Sequence, residues 1–278
     1  MPAPLEASIR ALARQIALPW GGSGLVLAVD DVATLVETHA MPGWEIEAIA
    51  LDQGVYPVRY LRNGRAIDAP GQARLLRARV AQVGLGGLGG SLLEQFLRLG
   101  IGRIRAADGD RFEATNLNRQ ALSAMDNLGQ TKSRAALHRA AAINPSIGIN
   151  ATDEFLTPES LPAFLRDCNL AVDALGGLVT RGHLQRAASD AGIPLVTGAL
   201  AGWTGYVAVV LPGQTGPADI MGTDNGAEEQ LGCPAPAVNL VASLMAAQVV
   251  ALLTGAPSLA GRMLVADLAS GTFDTVTL

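Results

Sequence analysis

The chain has 278 residues, 49% of them hydrophobic, and a formal net charge of −5 at pH 7. This length and hydrophobic content suit one α/β domain plus an N-terminal addition, and the acidic balance without a basic run argues against nucleic-acid binding. The most apolar long stretch, residues 235–253, contains Asn239, Ser243 and Gln248 and is predicted to be a buried helix, not a membrane span. Two cysteines and the lack of a signal-peptide pattern predict a cytoplasmic protein that acts away from membranes.

Residues 1–75 differ in pattern from the rest and predict a small helical lobe. Three helices are expected there: from Leu5 through Leu12 to Ile16 before Pro19, from Asp30 or Asp31 through Val36, and around Trp44, Ala48 and Leu51. The lobe could pack onto the main domain or move freely, and both arrangements stay open. Its apolar faces could serve a dimer interface or carry a partner.

Residues 76–278 predict a main domain with a Rossmann-like α/β fold. Short apolar strands alternate with helices, which implies a parallel half-sheet with right-handed crossovers. Strands are predicted at 80–83, 103–107, 147–151, 170–173 and 194–197, and helices at 90–99, 130–142, 159–166 and 180–190. Antiparallel strands are expected after residue 194, at 206–211 and in a hairpin formed by 263–266 and 272–277. The fold class is therefore a mixed sheet, with a nucleotide expected at its first glycine-rich turn.

That turn contains Gly84, Gly86, Gly87 and Gly89, between the strand 80–83 and a predicted helix. Glycine lets the backbone turn tightly and approach a ligand closely, and the N–H groups of the following helix start suit a phosphate chain. Asp108 follows the next predicted strand, where an acceptor for ribose hydroxyls is expected. These residues indicate a nucleotide without saying which one.

Four donors further along the chain favour ATP: Asn116, Arg119, Gln120 and Lys132. They supply more amide and cationic groups than a nicotinamide dinucleotide needs, so a dehydrogenase is disfavoured. A reaction at the α-phosphorus of a triphosphate does need fixed positive charge around the developing oxyanion.

With these motifs the sequence resembles the MoeB/ThiF/HesA adenylyltransferases, relatives of the ubiquitin-activating enzymes. The resemblance runs from about residue 55 to 278 and rests on Gly-x-Gly-Gly-Leu-Gly, Asn-Leu-x-Arg-Gln and Gly-Gln-x-Lys. It implies that the chain uses ATP with Mg²⁺ to adenylate the C-terminal glycine of a small ubiquitin-like sulfur-carrier protein, with release of pyrophosphate. Asp108 would then take the ribose, and Asn116, Arg119, Gln120 and Lys132 the phosphates.

The resemblance also implies a homodimer with shared sites. Arg62 stands where the family places an arginine that reaches the phosphates in the partner subunit. It lies in a charged stretch with Arg59 and Arg65, so an ordinary solvated arginine is the alternative interpretation.

Three features depart from the family pattern. Gly176 stands at the position of the magnesium-binding aspartate, so Asp173 is the predicted metal ligand and a catalytic candidate. A structural Cys₄ zinc site is excluded, because the chain has only Cys168 and Cys233. Cys233 ends a crossover segment without other cysteines and is expected to be a small packing residue, although a thiol near a helix N-terminus could be reactive.

The segment 212–236 is rich in Gly and Pro, and Asp219, Asp224, Glu228 and Glu229 make it acidic. Segments of this kind are usually functional or mobile, and the resemblance implies that this one guides the tail of the carrier protein.

Two further interpretations stay open. The acceptor could be a peptide or a nucleoside carbonyl in place of a carrier protein. Gly176 could instead mark a degenerate member that binds nucleotide as a scaffold without catalysis.

Overall fold

The computed structural model describes residues 3–221 and 230–278, apart from the side chain of Leu178. The N-terminal lobe contains the three predicted helices, α1 (Leu5–Leu12), α2 (Val29–His39) and α3 (Gly43–Asp52). It also contains a three-stranded sheet that the sequence analysis missed, formed by β1 (Arg14–Ala17), β2 (Ser23–Leu27) and β3 (Val55–Pro57). Ile9, Leu27, Leu35, Ile46 and Val55 form its own small core.

The prediction that the first helix extends to Ile16 is wrong. The helix ends at Leu12, and Ile16 pairs with Gly24 across an antiparallel hairpin. The hairpin turns through Gly21 and Gly22, both with positive φ, where glycine costs least. The pair of glycines was the signal for a hairpin, and the apolar spacing before it concealed the signal.

An eight-stranded mixed sheet forms the centre of the main domain, in agreement with the predicted fold class. Its strands are β4 (Arg79–Val83), β5 (Arg103–Ala107), β6 (Gly148–Thr152), β7 (Leu170–Asp173), β8 (Leu195–Ala201), β9 (Thr204–Val210), β10 (Arg262–Asp267) and β11 (Thr272–Thr277). They are ordered β11-β10-β9-β8-β7-β4-β5-β6. The five strands from β8 to β6 are parallel, and β9, β10 and β11 add antiparallel.

Helices cover this sheet and bury its apolar strands on both faces, as a parallel sheet requires. They are α4 (Ala69–Arg77), α5 (Gly87–Leu99), α6 (Lys132–Ile143), α7 (Leu161–Leu165), α8 (Leu178–Asp190), α9 (Pro217–Ile220) and α10 (Ala235–Thr254). By length and composition α10 could cross a membrane. Its contacts with α5, β8 and β9 instead place it in the core of the domain, as the sequence predicted.

A buried polar network joins the lobe to the main domain. Glu47 of α3 is 1% exposed and accepts hydrogen bonds from the hydroxyls of Tyr60 at 3.0 Å and Ser146 at 3.1 Å. Asn144 donates to the Tyr60 hydroxyl and to the carbonyl of Leu97 near the end of α5. The lobe therefore packs firmly onto the domain, which settles the alternative that the sequence left open.

The predicted domain boundary at residue 75 falls inside α4. Leu75 and Leu76 of this helix are fully buried in the same core as β4 and α5. The division into an extension of 75 residues and a separate domain stays a prediction about organisation.

Replacing Glu47 by Ala should lower the free energy of unfolding by about 3 kcal/mol, because it leaves buried polar partners unsatisfied. The partners affected are the hydroxyls of Tyr60 and Ser146 and the guanidinium of Arg59, whose Nε lies 3.8 Å from the Glu47 carboxylate. Urea unfolding at neutral pH measures the change. An unchanged midpoint and slope would contradict the role of the network.

Glu47→Gln is the matched control. Comparison with this variant isolates the pH dependence that ionisation of Glu47 gives to the stability of the wild type. Burial raises the pKa of Glu47 above its usual 4.5. The part of its contribution that depends on protonation is therefore complete below about pH 4.5 and is lost as the pH rises through the higher folded-state pKa, while the packing and hydrogen bonds tested by Glu47→Ala remain. The stability of the wild type relative to Glu47→Gln should fall across that interval.

Candidate functional site

The glycine turn joins β4 to α5 by a backbone path that excludes larger residues at two positions. Gly84 has φ +100°, and a Cβ there would lie 2.4 Å from the carbonyl oxygen of Ala174. A Cβ at Gly89 would lie 2.0 Å from the carbonyl oxygen of Gly84. At Gly86 the nearest atom would be 3.7 Å away, on the amide of Gln120. Gly84 and Gly89 therefore make the turn possible, whereas Gly86 keeps space open beside it.

Gln82 holds the turn from beneath. This fully buried residue of β4 donates from Nε2 to the carbonyl oxygens of Gly84 at 3.0 Å and Gly89 at 2.8 Å. In sequence, the strand has the pattern of an apolar run, which conceals the role of Gln82. A polar side chain inside a buried strand was the available signal, because such groups are placed there only with hydrogen-bond partners.

A cavity of about 420 Å³ opens above the turn, at the carboxyl ends of the parallel strands. Its wall brings together most of the predicted site residues, including Gly84, Gly86, Gly87, Asp108, Arg119, Gln120 and Lys132. Asp108, directly after β5, accepts hydrogen bonds from the N–H of Leu85 at 2.7 Å and of Asp110 at 2.9 Å. These bonds fix its carboxylate at the cavity edge, where it retains lone pairs for ribose hydroxyls.

Lys132 is the first residue of α6 and is almost completely buried. Its Nζ lies 2.9 Å from Asp110 and 3.9 Å from Asp108. Backbone hydrogen bonds hold the Gly129–Lys132 segment against residues 110–112, and Gly129 has φ +80° there. The motif therefore places an ammonium group in the cavity wall beside Asp108 and Asp110.

Arg119 and Gln120 follow a 3-10 turn at Ala114–Asn116 and both line the cavity. Gln120 is 6% exposed, and its Oε1 has no hydrogen-bond partner within the protein. Because buried polar atoms are nearly always satisfied, this amide has an unfilled place for a ligand. Asn116 is not in the cavity wall. Its side-chain oxygen accepts from the N–H of Glu113 and shapes the turn.

The contacts of Asp173 do not support the predicted metal-binding role. It is 1% exposed and accepts from Arg181 at 3.2 Å, from the Thr197 hydroxyl at 2.7 Å and from the N–H of Leu175 at 3.1 Å. It does not line the cavity, whereas Arg181 and Gly176 do. A carboxylate already bound to a guanidinium and two further donors is a poor ligand for Mg²⁺.

Arg181 was missed by the sequence analysis. It lies in the first turn of α8, is 4% exposed, and also donates to the carbonyls of Gly198, at 2.9 Å, and Leu175. The feature of the sequence that could have indicated this residue is an arginine in the first turn of the helix that follows Asp173. Burial raises the pKa of the Tyr206 phenol, which is close enough to Arg181 and Asp173 to feel their charges. Tyr206 is therefore neutral beside this ion pair.

The remaining candidate residues lie at different places in the fold, and one of them, Cys233, is in the cavity wall. Arg62 is exposed and is not in the cavity wall. Cys233 is half-buried and lines the cavity, while Cys168 is buried, and burial raises its pKa. Asp219 accepts hydrogen bonds from Gln185 and Gly216. Asp224, Glu228 and Glu229 lie outside the described residues.

Comparison with known proteins decides the family. The sequence model of the ThiF family matches residues 60–278. The chain belongs to the ThiF family. The sulfur carrier protein adenylyltransferase of Thermus thermophilus is 36% identical over 226 residues, which cover 76% of this chain and 83% of that protein. The sulfur carrier protein ThiS adenylyltransferase of Escherichia coli K12 is 28% identical over 228 residues, 80% of this chain and 90% of that protein.

Solved structures confirm the fold of this ThiF family member. PaaA superposes with a TM-score of 0.66 at 20% identity and covers 96% of this chain and 98% of its own. E. coli MccB, solved with ATP, has a TM-score of 0.68 at 19% identity, and the match covers 88% of this chain and 82% of the MccB chain. The resemblance stated from the motifs is therefore correct in family and in fold.

Two glycine variants should separate the making of the turn from the binding of the ligand. Gly86→Ala should leave the fold intact and weaken ATP binding about tenfold, because its methyl group would stand where a phosphate approaches the backbone. Gly89→Ala should lower the free energy of unfolding by about 2 kcal/mol, because its methyl group overlaps the Gly84 carbonyl. Calorimetric titration with ATP and urea unfolding measure the two effects. Equal behaviour of the two variants would contradict the assignment.

Proposed function

We propose that this chain is an ATP-dependent adenylyltransferase that activates the C-terminal glycine of a small ubiquitin-like sulfur-carrier protein in the cytoplasm. The observation that carries the proposal is the convergence of the glycine turn, Asp108, Arg119, Gln120 and Lys132 on one cavity. The two relatives named above are sulfur-carrier adenylyltransferases by name, and both align with most of this chain.

In the proposed reaction, an oxygen of the carrier carboxylate attacks the α-phosphorus of ATP. The bond between the α-phosphorus and the oxygen that bridges to the β-phosphorus breaks, and pyrophosphate leaves. No covalent bond to the enzyme is required, so the chain contributes position and electrostatics. The N–H groups at the start of α5 face the phosphates, Asp108 holds the ribose, and Arg119 and Lys132 neutralise developing charge.

In this scheme Lys132 keeps its pairing with Asp110, whose side chain is half-exposed at the cavity edge. A solvated carboxylate weakens the attraction of the ammonium for phosphate less than a buried one does. The acceptor tail is proposed to enter near Cys233, Leu200 and Val238, an apolar part of the cavity wall. Mg²⁺, predicted as a cofactor with Asp173 as its ligand, receives no protein ligand in this scheme.

ATP–pyrophosphate exchange tests the proposal. The purified protein should catalyse exchange only with a carrier protein that ends in Gly-Gly, and Lys132→Ala or Arg119→Ala should lower turnover about tenfold or more. Arg134→Ala is the matched control, because Arg134 is an exposed cation on α6 outside the cavity wall. ATP binding without exchange would favour a nucleotide-binding scaffold. Exchange with a peptide in place of the carrier would identify a different acceptor.

We further propose a homodimer in which Arg62 reaches the phosphates of the partner subunit. Its exposure and its distance from the cavity wall fit a role outside its own subunit. Arg62→Ala and Lys132→Ala should each be nearly inactive alone. Mixed after unfolding and refolding together, they should recover about a quarter of wild-type turnover, because half of the dimers are mixed and hold one intact site of two. Recovery of no activity would contradict sharing of the site.

A further inference from the structure

The carboxylates that line the cavity lie away from β7. Asp108, Asp110 and Glu154 follow β5 and β6, and Lys132 pairs with the first two, whereas Arg181 lies beside the end of β7. Since β4 lies between β7 and β5, the ends of those two strands are roughly 10 Å apart, two strand spacings, and β6 is one spacing further. Among the described residues, the β7 side of the wall therefore carries a cation and no carboxylate.

Among the described residues, the β7 side of the cavity offers no free carboxylate to a divalent ion. Gly176 has no side chain to coordinate a metal, and Asp173 is bonded to Arg181, Thr197 and Leu175. The ion pair is oriented, because Arg181 lines the cavity and Asp173 does not. A divalent cation at this wall would meet a buried guanidinium first, and like charges repel strongly in such a setting.

We propose that Mg²⁺ enters this cavity only as the chelate of the nucleotide's own phosphates, without a protein carboxylate ligand, and that Arg181 supplies fixed positive charge on the β7 side. The inference rests on the proposed use of ATP. The N–H groups of Arg181 donate to the carbonyls of Leu175 and Gly198 and to Asp173, so it acts on the phosphates through its field. Asp173 is then a positioning residue that keeps the guanidinium in place.

The affinity for ATP with and without metal tests this. The test uses calorimetric titrations with a non-hydrolysable ATP analogue. For the wild type, the dissociation constants of the metal-free analogue and of its Mg²⁺ complex should differ by no more than about threefold, since no contact between protein and metal is lost. Gly176→Asp should bind the Mg²⁺ complex at least about tenfold more tightly than the metal-free analogue, because a carboxylate then coordinates the ion and repels bare phosphates. Gly176→Asn, of nearly the same shape and neutral, is the control and should behave like the wild type.

Electron paramagnetic resonance with Mn²⁺ gives a second readout. The wild type with the analogue should show the spectrum of the Mn²⁺–nucleotide complex, and Gly176→Asp should show a changed first coordination shell. If Gly176→Asp does not fold, the wild-type affinity ratio and spectrum still decide.

A preference of the wild type for the Mg²⁺ complex of tenfold or more would overturn the proposal. Asp224→Asn/Glu228→Gln/Glu229→Gln would then show whether acidic residues of 222–229 supply the ligands. Failure of the wild type to bind the analogue in either form would instead contradict the proposed use of ATP.

Discussion

The close approach of backbone to backbone at the β4–α5 turn is the constraint on which the rest of the site depends. The chain passes so near Ala174 and folds back so tightly on itself that Gly84 and Gly89 have no room for a Cβ. This brings the first N–H groups of α5 to the end of the central strands, where Asp108 and Arg181 also lie. The amide of Gln82 pins two carbonyl oxygens of the turn, so its shape is fixed before any ligand binds. A pre-formed cradle of this kind lowers the ordering cost of binding.

The cations around the cavity are fixed in the same way, each by neighbouring side chains. Asp110 and Asp108 hold Lys132, and Asp173 and Thr197 hold Arg181. A buried cation is costly unless it is paired, and a pair that is fully bonded cannot rearrange cheaply. The cavity therefore presents oriented charge and not adaptable charge, which suits stabilisation of a charge distribution that changes during a reaction.

The sequence predicted the main domain well because each of its signals is local. Short patterns of alternating or continuous apolar residues located β5 and β7 to the residue, and the carboxyl ends of parallel strands necessarily meet at one edge. The lobe was predicted less well, because pairing of β1 with β2 overrode the helical spacing of Ile16. The metal-binding role predicted for Asp173 could not take its contacts into account. Its partners Arg181 and Thr197 come from two other elements, and the number of hydrogen bonds a carboxylate already accepts cannot be deduced from its position in the chain.

The network around Glu47 also bears on how this chain keeps its N-terminal lobe. Asn144 and Leu97 stand at the ends of α6 and α5 remote from the cavity, and both are tied through Tyr60 to the lobe. The two helices that begin at Lys132 and at the glycine turn are thus anchored at their far ends by the lobe. The lobe is an integral support of the domain, not a module that recombination can exchange or delete. A chain without the lobe would lose the contacts that hold the far ends of both helices and would expose buried polar groups.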